Sequence, residues 1–176
     1  MKKIETEDLK LEKPEFTMQV FEDEERKPVE REEIFGKKAI LLRNLFSEKE
    51  CQYYIKQGED QGLHSIEYFG YKKIYRNNDR VMAESQQLAD VIYERVKEHL
   101  EDIVIDDSNE DDYHLGTKGE WKPVGINTYF RLCRYEPGGH FSPHYDGEFV
   151  PSASRRSFKT VMLYVFYFIY LLIEFN

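Results

Sequence analysis

Several short stretches of the chain alternate apolar with polar residues, which is the pattern typical of half-buried strands. Residues 38–42 (KAILL) predict a first short strand, and residues 64–75 favour strand on both sides of Gly70. Residues 128–133 predict a further strand whose successive side chains point to opposite faces. One face carries Thr128, Phe130 and Leu132, and the other carries Tyr129, Arg131 and Cys133.

Two other stretches repeat their apolar residues at helical spacing. Ser47 and Glu50 form a capping-box pattern, which predicts a helix over 48–59 that stops near Gly62. The long stretch 85–103 carries an apolar stripe, which predicts a second helix packed on the sheet. The stripe consists of Leu88, Val91, Ile92, Val96, His99 and Leu100. We interpret His99 as a packed residue and not as a ligand.

Length and charge narrow the class of protein. A chain of 176 residues with 40% apolar residues is sized for one domain with one core. Residues 1–36 are charge-rich and aperiodic, which predicts a flexible, solvated leader. The net charge of -9 argues against a nucleic-acid partner, because a phosphate backbone would be repelled.

Cysteine usage and the N-terminal pattern bear on the compartment. Cys51 and Cys133 lie far apart without CxxC spacing, so we expect two buried thiols and no disulfide. The N-terminus lacks the apolar core of a signal peptide, and no stretch is long enough to span a membrane. These observations predict a cytoplasmic or nuclear protein with no membrane partner.

Two metal interpretations fail on local grounds. The acidic run 106–112 contains no glycine, which an EF-hand loop needs, so it predicts a solvated loop and not a calcium site. His140 and His144 have the spacing of zinc ligands on one helix face. Pro137 and Pro143 flank a Gly-Gly pair in that segment, and such a sequence opposes a helix.

An extended segment remains the favoured structure around His144-Tyr-Asp146. In extended backbone, residues two apart project to the same side, so His144 and Asp146 could bind one ion together. An imidazole and a carboxylate suit ferrous iron and form two thirds of a facial triad. Alone the His-x-Asp pair is a weak signal, and two solvated polar residues would explain it as well.

The surrounding residues make the signal more specific. Tyr135-Glu-Pro-Gly-Gly-His-Phe141 precedes the pair, Gly147 follows it, and Arg156-Ser-Phe-Lys-Thr-Val-Met-Leu-Tyr164 comes one loop later. Together these residues resemble the prolyl 4-hydroxylase-like branch of the 2-oxoglutarate- and Fe(II)-dependent dioxygenases. The resemblance extends over about residues 37–164 and is dense over 121–164.

The resemblance implies a fold and a set of ligands. The fold would be α+β and mainly β, a double-stranded β-helix (jelly roll) with supporting N-terminal helices, one end of which Trp121 would cover. His144 and Asp146 would bind Fe(II), Tyr135 and Tyr164 would contact the co-substrate 2-oxoglutarate, and ascorbate would support turnover. Arg76, Asn78 and Arg80 would belong to a mobile loop near the entrance for a protein or peptide substrate, although an ordinary charged loop explains them equally well.

The C-terminal residues depart from this family's pattern. The family has a second histidine ligand and a later basic residue for 2-oxoglutarate, but residues 147–176 contain no histidine and no basic residue after Lys159. The apolar run that closes the chain would span only ~20 Å as a helix, against a hydrocarbon core of ~30 Å. We expect residues 165–176 to be foreign sequence, such as translated intron, that ends an incomplete domain begun at residue 37.

Two functions follow from these expectations. The first is a dioxygenase that hydroxylates a protein side chain, with proline as the favoured target, and that is inactive in this truncated form. The second is a non-catalytic remnant or interaction module that retains half of the fold. Neither substrate identity nor oligomeric state can be read from the sequence.

Overall fold

The computed structural model describes residues 13–36, 39–70, 72–106, 117–165 and 170–175. Within them lie helices α1 (Glu48–Gln61) and α2 (Gln86–Val96) and two 3-10 turns, Ile66–Phe69 and Lys97–His99. The strands, in chain order, are β1 (Phe16–Thr17), β2 (Glu30–Ile34), β3 (Ala39–Arg43), β4 (His64–Ser65), β5 (Arg76–Asn77), β6 (Asp79–Glu84), β7 (Ile103–Ile105), β8 (Gly119–Trp121), β9 (Tyr129–Arg134), β10 (His140–Phe141), β11 (Lys159–Tyr164) and β12 (Tyr170–Phe175).

These strands form two four-stranded sheets and two small pairs. In the first sheet β6 is central: β9 pairs with it antiparallel on one side, and β1 and β4 pair with different parts of its other side. The second sheet has the order β11-β12-β3-β2 and is antiparallel throughout. β5 pairs with β10, and β7 pairs with β8. The pairing confirms an α+β, mainly β chain, while the finer expectation of a jelly roll stays a prediction.

Side chains from both large sheets and both helices meet in one core. Ile40 and Leu42 come from the second sheet, Ala83 from the first, and Leu88 and Ile92 from α2. Other apolar residues pack around them only partly buried, namely Phe16, Val20, Val29, Leu100, Ile126, Phe130, Leu132, Val161, Leu163 and Val165. The predicted division of faces in β9 is therefore confirmed for Phe130 and Leu132.

The start of α1 follows directly from its sequence. The Ser47 hydroxyl accepts from the Glu50 amide, and the Glu50 carboxylate accepts from the Ser47 amide, so the predicted capping box is present. Glu50 is fully buried and pairs with Arg95 of α2 at 2.7 Å, which links the two helices. At the other end Gly62 adopts a φ of 79° and ends the helix, as predicted.

Helix α2 is shorter than its apolar stripe predicts. The Ser85 hydroxyl caps it by accepting from the Leu88 amide, but the helix tightens into a 3-10 turn after Val96. The next residues, Ile103–Ile105, pair with β8 as a strand. Ile103, Val104 and Ile105 are consecutive β-branched residues, which favour strand over helix. The helix predicted over 85–103 therefore extended past the end of α2 to the first residue of a strand.

The expectation of a flexible leader is corrected for residues 13–36. Most of these residues are exposed, as expected, but β1 pairs with β6 and β2 forms the edge of the second sheet, so the segment is part of the fold. Met18 is only 4% exposed and lies in the main core. Residues 1–12 lie outside the described residues, as do residues 107–116, which include all but the first residue of the acidic run.

The stretch 64–80 also differs from expectation. Only His64 and Ser65 form a strand before the 3-10 turn, in which Ile66 is fully buried. Residues 76–80, expected as a mobile loop, belong to β5 and the start of β6. Pairing with β10 and β9 draws this charged segment into the sheets.

Further predictions concern the thiols, the tail and Trp121. Cys51 is buried, Cys133 is partly buried, and both are free, as predicted. β12 lies between β11 and β3; whether its sequence is foreign stays a prediction. Trp121 packs edge-on against Phe158, with ring centroids 4.9 Å apart.

None of the described helices is both long and apolar enough to cross a membrane.

Candidate metal site

The segment that carries the candidate ligands begins where β9 ends. Gly138 has a φ of 85°, a left-handed conformation that favours glycine, and it turns the chain into β10. A Cβ added to Gly139 would lie 2.9 Å from the Glu136 carbonyl oxygen and 3.0 Å from that of Asn77. The Gly-Gly pair thus permits both the sharp turn and the close approach of β10 to β5.

The structure brings His144 and Asp146 together. His144 Nε2 lies 3.3 Å from Asp146 Oδ1, and the side chains are 27% and 45% exposed. β10 ends at Phe141, so the pair lies in irregular backbone just beyond the paired strand and not on the β-ribbon itself. The two donor atoms therefore lie side by side and face solvent.

A contact with the backbone indicates the tautomer of the His144 ring. Nδ1 lies 2.8 Å from the Ser142 carbonyl oxygen. A carbonyl only accepts, so Nδ1 carries hydrogen in this contact and a neutral ring has its lone pair on Nε2. That lone pair then lies next to a carboxylate oxygen, an arrangement stabilised by a proton or by a metal ion bound to both atoms.

The spacing of the two donor atoms fits a shared metal ion. Two ligand atoms bound at about 2.1 Å and at right angles lie about 3.0 Å apart, and at a tetrahedral angle about 3.4 Å apart. The observed separation of 3.3 Å lies within this interval. His144 Nε2 and Asp146 Oδ1 thus need little movement to bind one ion.

Asp146 is oriented by a residue from another strand. The Thr160 hydroxyl of β11 donates to Asp146 Oδ2 at 2.7 Å, which leaves Oδ1 directed at His144. A metal-binding carboxylate is commonly held by such an outer hydrogen bond. This contact joins the segment carrying the ligands to the second sheet.

The two tyrosines predicted to contact the co-substrate occupy different surroundings. Tyr164 lies on the same side of β11 as Thr160, about 13 Å along the strand from it. Tyr135 follows β9 and packs beside the Gly-Gly turn. Both are partly exposed, at 45% and 40%, so neither is a core tyrosine. Tyr164 thus lies on the side of β11 whose Thr160 contacts Asp146, and Tyr135 lies beside the turn that precedes the ligands.

The three residues of the expected substrate loop are buried. Arg76 is 8% exposed, Asn78 5% and Arg80 1%. Arg76 Nε donates to Asn78 Oδ1 at 2.7 Å, and its guanidinium lies over the ring of Phe141, 4.1 Å from the centroid. They are therefore not an exposed loop at an entrance. Arg76 instead lies beneath the segment that carries the ligands.

Cys133 of β9 lies beside the two buried arginines. Arg76 Nη2 donates to Cys133 Sγ at 3.5 Å. Burial raises the pKa of the Cys133 thiol, while the guanidiniums of Arg76 and Arg80 act in the opposite direction. The thiol is therefore protonated at neutral pH and serves as a packing group beside the cations.

Sequence reasoning missed three groups that hold the ligands. Phe141 stacks on the His144 ring with centroids 3.6 Å apart and planes at 26°, the Ser142 carbonyl binds Nδ1, and Thr160 binds Asp146. Phe141 and Thr160 belong to the motifs already singled out, but nothing in their spacing indicated which ligand each would contact. The Phe141 contact has no signal in the sequence either, because only two residues separate Phe141 from His144 and in extended backbone that spacing places the two side chains on opposite faces.

A third protein ligand is not present in the part of the chain that the structure describes. No group of three or more His, Cys, Asp or Glu side chains comes together there in a way that could hold a metal ion. The site as described thus provides two donors and leaves the other coordination positions to other ligands.

Comparisons with known proteins add no relative to this picture. Protein-family models, curated proteins and solved structures were searched, and none matched the chain.

Proposed function

We propose that the chain is a 2-oxoglutarate- and Fe(II)-dependent dioxygenase domain that hydroxylates a protein side chain, in the manner of the prolyl 4-hydroxylases. The observation that carries the proposal is the pairing of His144 Nε2 with Asp146 Oδ1 at 3.3 Å, with both side chains open to solvent. Its two large sheets would belong to a double-stranded β-helix.

The described residues fit iron in two of its coordination positions. His144 and Asp146 would hold Fe(II), with Ser142 and Thr160 fixing the orientation of the two donors. The bound iron would supply the oxidative chemistry that 2-oxoglutarate and oxygen sustain, with ascorbate keeping it reduced. The chain's own contribution is to hold two donors on one side of the ion and leave the opposite side open for small ligands.

The substrate would be a protein or peptide bound on the open side. Tyr164 and Tyr135 are the proposed contacts for 2-oxoglutarate, and both carry a partly exposed side chain that a ligand could reach. Because only two donors come from the described residues, we expect weak metal binding and negligible turnover.

Metal titration of the full chain tests the proposal. We expect Co²⁺, used as an oxygen-stable substitute for Fe(II), to bind with 1:1 stoichiometry, and His144→Ala and Asp146→Ala to abolish that binding. His140→Ala is the matched control, because this exposed histidine lies four residues away and its Nε2 contacts the Ile74 carbonyl oxygen instead. Equal affinity of wild type and His144→Ala would overturn the assignment of the site.

A second candidate function is a non-catalytic interaction module, favoured by the lack of a three-donor group among the described residues. Binding of 2-oxoglutarate to the Co²⁺-loaded chain, measured by calorimetry, separates the two without requiring turnover. Binding that Asp146→Ala abolishes supports the dioxygenase domain. Metal binding at His144 and Asp146 with no binding of 2-oxoglutarate supports the module.

A further inference from the structure

Arg76, Phe141 and the candidate ligand His144 form a continuous stack of side chains. The Arg76 guanidinium lies 4.1 Å from the centroid of the Phe141 ring, and that centroid lies 3.6 Å from the centroid of the His144 imidazole. We propose that Arg76 and Phe141 are positioning residues that fix the plane of the His144 ring for metal binding. The inference rests on the proposed function, in which His144 is a metal ligand.

Strand pairing builds this stack. Phe141 of β10 is the direct cross-strand partner of Arg76 of β5, so the two side chains project from the same face of the ribbon. The Ser142 amide then donates to the Tyr75 carbonyl oxygen at 2.9 Å, which continues the pairing for one more residue. His144 follows two residues later, close enough for its ring to fold back onto Phe141.

Neutral contacts hold Arg76 in place. Its Nε donates to Asn78 Oδ1 and its Nη2 to Cys133 Sγ, and none of the described acidic side chains forms an ion pair with it. A buried cation requires compensation, and the π face of Phe141 supplies part of it. The ring is thereby held over the guanidinium, while Tyr75 packs against it edge-on at 5.4 Å and 89°.

The consequence for His144 is a fully specified orientation. Stacking on Phe141 sets the plane of the imidazole, and the Ser142 carbonyl sets its rotation within that plane through Nδ1. The residue itself lies in irregular backbone, so these two contacts replace the constraint that a strand would give. Because the His144 side chain is already restricted in the metal-free protein, metal binding costs less side-chain conformational entropy.

Substitution of Phe141 separates stacking from general packing. Phe141→Leu removes the aromatic face and Phe141→Tyr retains it, so we expect about tenfold weaker Co²⁺ binding in the first and near wild-type binding in the second. Tyr145→Leu is the matched control, because it removes an aromatic ring that is 98% exposed. Loss of affinity below twofold in Phe141→Leu, with the fold intact by circular dichroism, would overturn the inference.

Arg76 tests the deeper half of the stack. We expect Arg76→Gln to weaken Co²⁺ binding about tenfold, and Arg76→Lys to lie between it and the wild type because lysine keeps the charge but loses the flat guanidinium. Arg134→Gln is the control, since Arg134 is exposed and pairs with Asp79 on the surface. Equal affinities for Arg76→Gln and Arg134→Gln would show that Arg76 does not act on the site.

Proton NMR of the metal-free protein supplies a readout that does not depend on metal. Stacking on Phe141 should shift the His144 ring protons upfield, and we expect Phe141→Leu to abolish the shift while Tyr145→Leu preserves it. If the wild type shows this shift but binds no Co²⁺, the proposed function fails and the positioning contact stands. If the wild type shows no shift, the contact is absent and the inference fails whatever the metal does.

Discussion

Residues 18–105 contain all the apolar side chains that the structure buries fully, from Met18 to Ile105, among the residues it describes. Residues 117–165, which carry the candidate metal site, contribute only partly buried ones to the core, such as Phe130, Leu132 and Val161. The second region is joined to the first by these contacts and by strand pairing of β9 with β6, β10 with β5 and β8 with β7.

This difference separates the framework from the site. Hydrophobic burial supplies most of the stability of a fold, so the N-terminal region should determine whether the chain folds. The ligand-bearing region buries its apolar side chains only in part, so it depends more on backbone hydrogen bonds and on polar contacts such as Thr160 with Asp146. Segments of this kind open locally at lower free energy than the core, as binding segments commonly do.

Matched truncations in the two regions give the largest expected contrast. Ile92 is fully buried, so Ile92→Ala should lower the free energy of unfolding by about 2–5 kcal/mol. Leu163 loses the same number of carbon atoms on truncation but is only partly buried, so Leu163→Ala should cost clearly less. Urea denaturation followed by circular dichroism measures both. Equal losses would show that the two regions share one equally tight core.

Local signals explain which parts of the framework could be predicted. The capping box of Ser47 and Glu50 and the stop at Gly62 depend on residues close in sequence, and both were correct. The prediction of a flexible leader was wrong for residues 13–36. It was based on their charge-rich composition, which does not indicate that Met18 is buried or that β1 pairs with β6, more than sixty positions away. Composition alone cannot show where distant strands find partners.

In the candidate site too, the features that involve neighbouring residues could be predicted, and those that involve distant segments could not. The spacing of two residues singled out His144 and Asp146 as a pair, but the two lie in irregular backbone, so their proximity depends on contacts with Ser142 and Thr160 and not on strand alternation. The burial of Arg76 and Arg80 could not be predicted, because arginine is seldom buried and its burial here results from sheet pairing. The contact of Thr160 with Asp146 joins two segments across a loop, so only the folded chain reveals it.

Two glycines of the ligand-bearing segment provide the next contrast. Gly139→Ala would place a Cβ 2.9–3.0 Å from two backbone oxygens, which should destabilise the turn by about 1–3 kcal/mol. Gly147→Ala meets no atom within 4 Å and should have little effect. Hydrogen exchange of the β5 and β10 amides measures the local change. We expect exchange there to accelerate in Gly139→Ala while the α2 amides keep their protection. Uniform acceleration across both regions would contradict the separation of framework and site.

Alkaline pH should weaken the framework through two buried groups of helix α1. Burial raises the pKa of Tyr54 from 10.0 to about 12, and that of Cys51 from 9.0 to about 12. Both groups bind protons more tightly in the folded chain, so the stability they contribute is present below the unfolded pKa and is lost as pH rises toward 12.

For Tyr54 the expected loss above pH 10 is up to about 1.4 kcal/mol per pH unit. Tyr54→Phe removes this ionisation, so its stability should fall less steeply between pH 10 and 11 than that of the wild type. The remaining slope comes from other groups whose pKa is raised in the folded chain, such as Cys51 and Cys133. Tyr145→Phe, which alters a 98% exposed side chain of the site region, should keep the wild-type slope. Urea midpoints measured at both pH values give the slopes. If Tyr145→Phe flattened the curve as much as Tyr54→Phe, burial in the framework would not be the cause of the alkaline loss.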